Sequence, residues 1–268
     1  MQDIFITIIQ SDLVWENKDE NLKRFSQKIN SITEKTDVIV LPEMFTTGFA
    51  VNRIQLAEEQ EGEGLLWMKQ MAKNKNAAIV GSIAIKEQQH FYNRLYWVNP
   101  DGNFFTYDKR HLFRMAGENN YFDAGTKKLI VEYKGWKFCP LICYDLRFPV
   151  WSRNVWNIAN GNYMPDYDIL LFVANWPEVR SYPWKQLLIA RAIENQCYVV
   201  GVNRVGKDGN NFDHSGDSAI INPRGEIITT VLPHEEKNET VAINRNYLEE
   251  FKKVFPVGSD ADLFNLKQ

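Results

Sequence analysis

No stretch of this chain approaches the roughly 20 consecutive apolar residues that a membrane-spanning helix requires, so no membrane partner is expected. The opening segment, MQDIFITIIQSDLVW, has neither a basic start nor a small-residue cleavage site, and a cytoplasmic location is therefore expected. Cysteine is scarce. Cys139, Cys143 and Cys197 are odd in number and show no CxxC spacing, which excludes a disulfide framework and predicts reduced thiols. Neither sign of charge dominates: 31 basic residues face 34 acidic ones for a net charge of −3, leaving no electrostatic footprint for nucleic acid. The expected partner is a small molecule. No grouping of His, Cys and carboxylates has the spacing of metal ligands, so no metal and no cofactor is expected. Glycine and proline, 15 and 10 of 268 residues, mark no linker, and no internal repeat is present, so one domain over residues 1–268 is expected.

What is plentiful is core material, with 44% hydrophobic and 13% aromatic residues. Strand-like and helix-like patterns alternate. The β-branched run DIFITIIQ is followed by Leu22, Phe25, Ile29 and Ile32 at helical spacing, then by the apolar run TDVIVLPE, a β-α-β opening. Leu65, Leu66, Met68 and Met71 predict a second helix, and Asn99, Pro100, Asp101 and Gly102 a hairpin turn. Further on, WSRNVWNIANG reads as helical, YDILLFVAN as a buried strand and YPWKQLLIARAIENQ as a helix with Pro183 in its first turn. The remainder reads as four strands, the middle pair joined by a turn containing Pro223 and Gly225. About a dozen strands exceed what one open sheet holds comfortably, so an α/β domain of two sheets covered by helices is expected.

Three apolar runs each deliver a polar residue at their C-terminal edge: Glu43, Cys143 and Asn175. Ligand sites of α/β folds gather at such edges. A buried cysteine is commonly inert and a glutamate after a strand is commonly a cap or surface charge, so each residue alone carries little. Taken together they suggest a nucleophile, because a catalytic thiol needs a base and a cation that favours thiolate. Among the four histidines, His90, His214 and His234 read as solvated, and His111 is the one candidate base. Glu43 is the alternative base if burial raises its proton affinity. Lys109, at the end of NFFTYDK, is a candidate cation or simply an exposed lysine.

The segments LPEMFTTGF, YDKRHLF and LICYDLRFP resemble, in order and spacing, the three signatures of the carbon–nitrogen hydrolase (nitrilase) superfamily. GENNYFDAG resembles the segment that carries a second glutamate, here Glu118, seven residues before a glycine. The resemblance extends over about residues 3–245, and LPEMFTTGF and NWP are most similar to the bacterial omega-amidase-like branch. It implies a four-layer α-β-β-α sandwich, commonly dimerised through its helices.

The resemblance also implies roles. Glu43, Lys109 and Cys143 form the triad, with Glu118 beside it orienting Lys109 or, failing that, lying at the surface. The main-chain N–H of Tyr144 joins Lys109 in holding the oxyanion, as in a nucleophile elbow. Arg147 binds a substrate carboxylate or forms a structural ion pair with Asp145 or a neighbouring strand. Phe113, Asn175 and Trp176 line the pocket, with Arg114 and Arg180 as weaker candidates for the carboxylate. Tyr107, Asp108 and Arg110 receive no catalytic role, Cys139 and Cys197 are structural, and Trp184, Leu187, Leu188 and Ile193 form helix core or dimer contact. The implied activity is hydrolysis of the side-chain amide of a small carboxylate-bearing substrate, of the 2-oxoglutaramate or 2-oxosuccinamate type, through a cysteine thioester. The alternatives are nitrile, N-carbamoyl or aliphatic amide hydrolysis within the superfamily, and a non-catalytic binding relative.

Overall fold

The computed structural model describes residues 2–159 and 162–262. The first half contains β1 (Ile4–Gln10), α1 (Lys18–Asn30), β2 (Val38–Val40), β3 (Glu58–Glu59), α2 (Glu63–Lys75), β4 (Ala78–Glu87), β5 (His90–Val98) and β6 (Phe104–Asp108). The second contains β7 (Val131–Tyr133), β8 (Trp136–Ile142), α3 (Pro149–Ser152), β9 (Trp156–Ala159), β10 (Asn162–Pro165), β11 (Ile169–Ala174) and α4 (Ser181–Asn195), then β12 (Tyr198–Asn203), β13 (Val205–Lys207), β14 (Asp213–Ser215), β15 (Ala219–Ile221), β16 (Lys237–Ile243) and α5 (Arg245–Val254). A seven-stranded sheet runs in the order β16-β1-β2-β4-β5-β6, with β3 against β4, and a five-stranded sheet in the order β15-β12-β11-β8-β7.

The period of two along a strand explains how these sheets stack. Ile4, Ile6 and Ile8 of β1 join Trp97, Trp136, Phe138 and Leu171 between the sheets. Ile9, Ile39 and Ile79 instead meet Phe25 of α1 and Leu65 and Met68 of α2. Each such aliphatic side chain contributes about 1.5–3 kcal/mol when fully buried. On the other side, Trp184, Leu188 and Ala192 of α4 pack on the second sheet. Gly201 of β12 permits this approach, since a Cβ there would stand 2.5 Å from a Leu188 methyl. The layers are therefore helix, sheet, sheet, helix.

Two local readings are corrected. The segment WSRNVWNIANG is not one helix: α3 ends at Ser152 and a strand begins at Trp156, while residues 160–161 lie outside the described ones. Asn154 explains the break, because its N–H donates to Asn195 Oδ1 at 2.9 Å and its amide group exchanges hydrogen bonds with the main chain of Tyr167. These partners pull the backbone off the helical path. The strand expected after Pro223 and Gly225 shrinks to a single bridge between Ile221 and Ile227, and further along that segment the Thr230 N–H turns to Glu239 side-chain oxygens. The helix α5, for which no signal was read, docks Leu248 into the core.

What matters for function is the rim. Glu43 lies three residues beyond β2, while Lys109, Cys143 and Asn175 directly follow β6, β8 and β11.

Candidate active site

Cys143 leaves β8 with φ +44° and opens a one-turn 3-10 helix, Cys143–Arg147. A left-handed backbone at a non-glycine residue is strained and needs outside support. Asp145 supplies it. Its fully buried carboxylate accepts from the Ile142 N–H at 3.1 Å, the Tyr107 hydroxyl at 2.7 Å, the His111 N–H at 3.0 Å and His111 Nδ1 at 2.8 Å. The Trp151 indole N–H donates to the Tyr107 oxygen at 3.0 Å, and His111 stacks on Phe148 with centroids 3.7 Å apart. His111 is thus committed to Asp145 rather than to the thiol, which removes it as the base. The Tyr144 N–H precedes the first donor of the turn and is left without an intrahelical partner.

Glu43, Lys109 and Glu118 are buried together. Lys109 Nζ donates to Glu43 Oε1 at 2.8 Å and reaches the two oxygens of Glu118 at 3.1 and 3.0 Å. Glu43 also accepts from the Asn93 amide at 2.8 Å and from the Asn175 main-chain N–H at 2.8 Å, while Glu118 accepts from the Phe113 N–H at 2.6 Å. Cys143 and Lys109 line one cavity. Burial, then the negative charge of Glu43, push this thiol well above its ordinary value, against the pull of Lys109. Burial opposes the charge on Lys109, but Glu118 and Glu43 outweigh it and raise its proton affinity. Burial, followed by Glu43, raises that of Glu118 despite Lys109. The site thus gathers a thiol, two buried glutamates and a lysine. Such a set can move a proton from sulfur to oxygen as the sulfur attacks.

The glycine seven residues after Glu118 has a steric reason. The Gly125 N–H donates to the Lys109 carbonyl at 2.9 Å, and a Cβ there would stand 2.0 Å from the Asp108 carbonyl oxygen.

A small cavity opens over the thiol, lined in part by Phe49, Phe113, Tyr144, Asn175 and Trp176. Arg147 and Arg180 also line it, whereas Arg114 is exposed and stands outside that lining. Asp145 does not pair with Arg147, whose Cζ lies 5.0 Å from the Trp176 ring centroid. Trp184 and Leu188 are core, and Ile193 is exposed. Cys139 and Cys197 are buried, and burial pushes the Cys139 thiol up to about 12. His90 and His234 are exposed, paired with Asp123 and Glu178. His214 is buried, 2% exposed, contrary to its reading as solvated; its Nδ1 faces the main-chain carbonyl of Phe212 at 3.1 Å. Sequence reasoning missed Asn93, Asp145 and the structural use of Tyr107. Asn93 did leave a signal, as an amide in mid-strand among aromatic and β-branched neighbours.

A family model for carbon–nitrogen hydrolases matches residues 5–253. The chain is 47% identical over 266 residues to the omega-amidase YafV of Escherichia coli strain K12, covering 99% of this chain and 100% of that one. The chain belongs to the carbon–nitrogen hydrolase family. As such it is an enzyme of carbon–nitrogen bond hydrolysis. A 2-oxoglutaramate amidase of Bacillus subtilis strain 168 is 37% identical over 226 residues, covering 83% of this chain and 84% of its own. Among solved structures, XC1258 of Xanthomonas campestris, a CN-hydrolase superfamily protein with an arsenic adduct in its active site, superposes with a TM-score of 0.96 at 40% identity and full coverage of both chains. The fold is shared with Saccharomyces cerevisiae Nit3, of the nitrilase superfamily, at a TM-score of 0.82, 23% identity and coverage of 96% and 95%.

Proposed function

We propose that this carbon–nitrogen hydrolase is an omega-amidase, which releases ammonia from the side-chain amide of a small acid of the 2-oxoglutaramate or 2-oxosuccinamate type. The observation that carries the reading is Lys109 held between the buried Glu43 and Glu118, lining with Cys143 one cavity that also presents Arg147. The relatives named as omega-amidase and 2-oxoglutaramate amidase support the choice of substrate.

In this mechanism Glu43 takes the Cys143 proton as sulfur attacks the amide carbon. A C–S bond forms and the carbonyl electron pair moves to oxygen. Lys109 and the Tyr144 N–H stabilise that oxyanion; one such donor is typically worth about 3–4 kcal/mol. Glu118, held to both Lys109 and the Phe113 N–H, keeps the lysine charged and aimed. Protonated Glu43 then gives its proton to nitrogen, the C–N bond breaks, and ammonia leaves a thioester on Cys143. Water, losing its proton to Glu43, attacks this thioester. The C–S bond breaks, the acid departs and sulfur regains the proton. Phe113, Asn175 and Trp176 shape the cavity, and Arg147 holds the carboxylate remote from the scissile bond. The enzyme works as a homodimer in the cytoplasm, the exposed Tyr182 and Ile193 of α4 supplying apolar surface for pairing and the three free cysteines suiting a reducing compartment.

Ammonia release from 2-oxoglutaramate, 2-oxosuccinamate, glutamine, simple nitriles and N-carbamoyl amino acids tests the reading. The two 2-oxo acid amides are expected to lead, and Arg147→Ala to cost about 2–4 kcal/mol in kcat/KM on them. Preference for a nitrile or an N-carbamoyl compound would overturn it.

A further inference from the structure

Two guanidiniums face the cavity, and only one has been given work. Arg180 ends the short turn Glu178–Arg180 that follows β11, and it lines the same space as Cys143. Its Cζ lies 5.4 Å from the Phe113 ring centroid. The Trp176 indole N–H donates to the Arg180 carbonyl at 2.7 Å, so the ring beneath Arg147 is tied to the backbone of Arg180. Among the described residues neither arginine forms an ion pair. Glu178 is turned to His234 at 3.3 Å, and Glu118 is occupied by Lys109. Arg180 Nη2 reaches only the Met115 sulfur, at 3.6 Å, a weak acceptor.

We infer that Arg180 is a second substrate-binding residue which, with Arg147, grips the 2-oxo-carboxylate end of the substrate and turns away amides that carry an ammonium at the same carbon. This rests on the omega-amidase reading and extends it from the reacting bond to the far end of the substrate.

Charge and geometry both lead there. Lys109 is already paired with Glu43 and Glu118 and has no charge to spare for the far end of a substrate. The two guanidiniums line the cavity without an anionic partner among the described residues, and a substrate carboxylate supplies one. An unbalanced charge in a partly dry cavity is costly. A zwitterionic amino acid amide leaves the imbalance in place and sets its ammonium beside two cations, where, among the described residues, no acidic side chain lines the cavity. A 2-oxo acid, moreover, presents a ketone oxygen beside its carboxylate. One guanidinium fork matches the two carboxylate oxygens; the ketone oxygen calls for a donor from a second side chain.

The test compares 2-oxoglutaramate, glutaramate, which lacks the 2-oxo group, glutamine and a short neutral amide on wild type, Arg180→Gln, Arg180→Lys and Arg147→Gln. In Arg180→Gln the loss of kcat/KM on 2-oxoglutaramate is expected to exceed that on glutaramate at least about tenfold, chiefly through KM. The preference for 2-oxoglutaramate over glutamine should shrink by a similar factor. Arg180→Lys, which keeps the charge but not the fork, should retain the rejection of glutamine while losing the advantage of the 2-oxo group. Arg147→Gln should weaken both carboxylate substrates alike. Unchanged ratios in Arg180→Gln, or equal losses on every substrate with a lowered melting temperature, overturn this inference and leave the omega-amidase reading standing. A wild-type enzyme that favours the neutral amide over both carboxylate-bearing ones overturns the two together.

Discussion

Replacing Asp145 with asparagine keeps the shape of the side chain but removes its charge and turns one of its two acceptor atoms into a donor. One oxygen faces the Ile142 N–H at 3.1 Å and the Tyr107 hydroxyl at 2.7 Å, the other the main-chain N–H and Nδ1 of His111 at 3.0 and 2.8 Å. The best compromise keeps the amide oxygen toward Ile142 and Tyr107. The new NH2 then meets the His111 ring, which can switch tautomer and accept, and the His111 N–H, which cannot. One orphaned buried donor costs about 1–3 kcal/mol, and the loss of charge from the remaining bonds adds about 1 kcal/mol. A total near 3 kcal/mol corresponds to a fall in melting temperature of about 6–12 °C for a chain of this size. Because the same bonds hold the turn on which Cys143 sits at φ +44°, the sulfur should also drift, and kcat should fall by about 10- to 100-fold with KM less affected. Circular dichroism melting and steady-state ammonia release measure the two effects. A variant that melts within about 1 °C of wild type and keeps its kcat would show that Asp145 does not brace the nucleophile.

Three further outcomes are expected. Lys109→Met removes the cation between two buried carboxylates and should lower kcat by about 100-fold or more; a change confined to KM would assign Lys109 to ground-state binding instead. Cys139→Ala and Cys197→Ala should retain most activity, since both thiols are buried in the core, whereas Cys143→Ala should have none in the same ammonia assay. His214 should contribute a pH dependence to stability, because burial, followed by the nearby Arg204, lowers its imidazole from 6.5 to about 4. The unfolded chain then binds a proton that the folded one refuses, so stability falls as pH drops through that window, by up to about 3 kcal/mol in all. Urea unfolding between neutral pH and pH 4 should show a shallower loss in His214→Gln; parallel curves would exclude His214 as the source.

How much of the site could be read before the fold was known depended on whether its logic was local. Cys143 and Asn175 end apolar runs and Glu43 stands just beyond one, and strand order then brings these ends to one rim. Lys109 stood out only in company, and Glu118 only through the resemblance to a known family, since nothing in AGENN foretells burial. The brace was illegible for a different reason: Asp145 binds Tyr107 and His111 from 38 and 34 residues away, and no periodicity encodes such partners. The same holds for Asn154, whose bonds to Asn195 and Tyr167 overrode the helical pattern of WSRNVWNIANG. His214 looked solvated because its flanks are polar, yet it is only 2% exposed. Strand ends and core faces follow from the spacing of apolar residues; buried polar networks follow from tertiary contacts.

Whether Cys143 carries the acyl group is read by mass spectrometry. Enzyme mixed with 2-oxoglutaramate is quenched in acid within the first turnover, digested and mapped. The peptide containing Cys143 should carry the mass of the 2-oxo acyl group, absent in Cys143→Ala and discharged when the quench is delayed past substrate exhaustion. An adduct on Cys139 or Cys197, or ammonia released at the wild-type rate by Cys143→Ala, would contradict it.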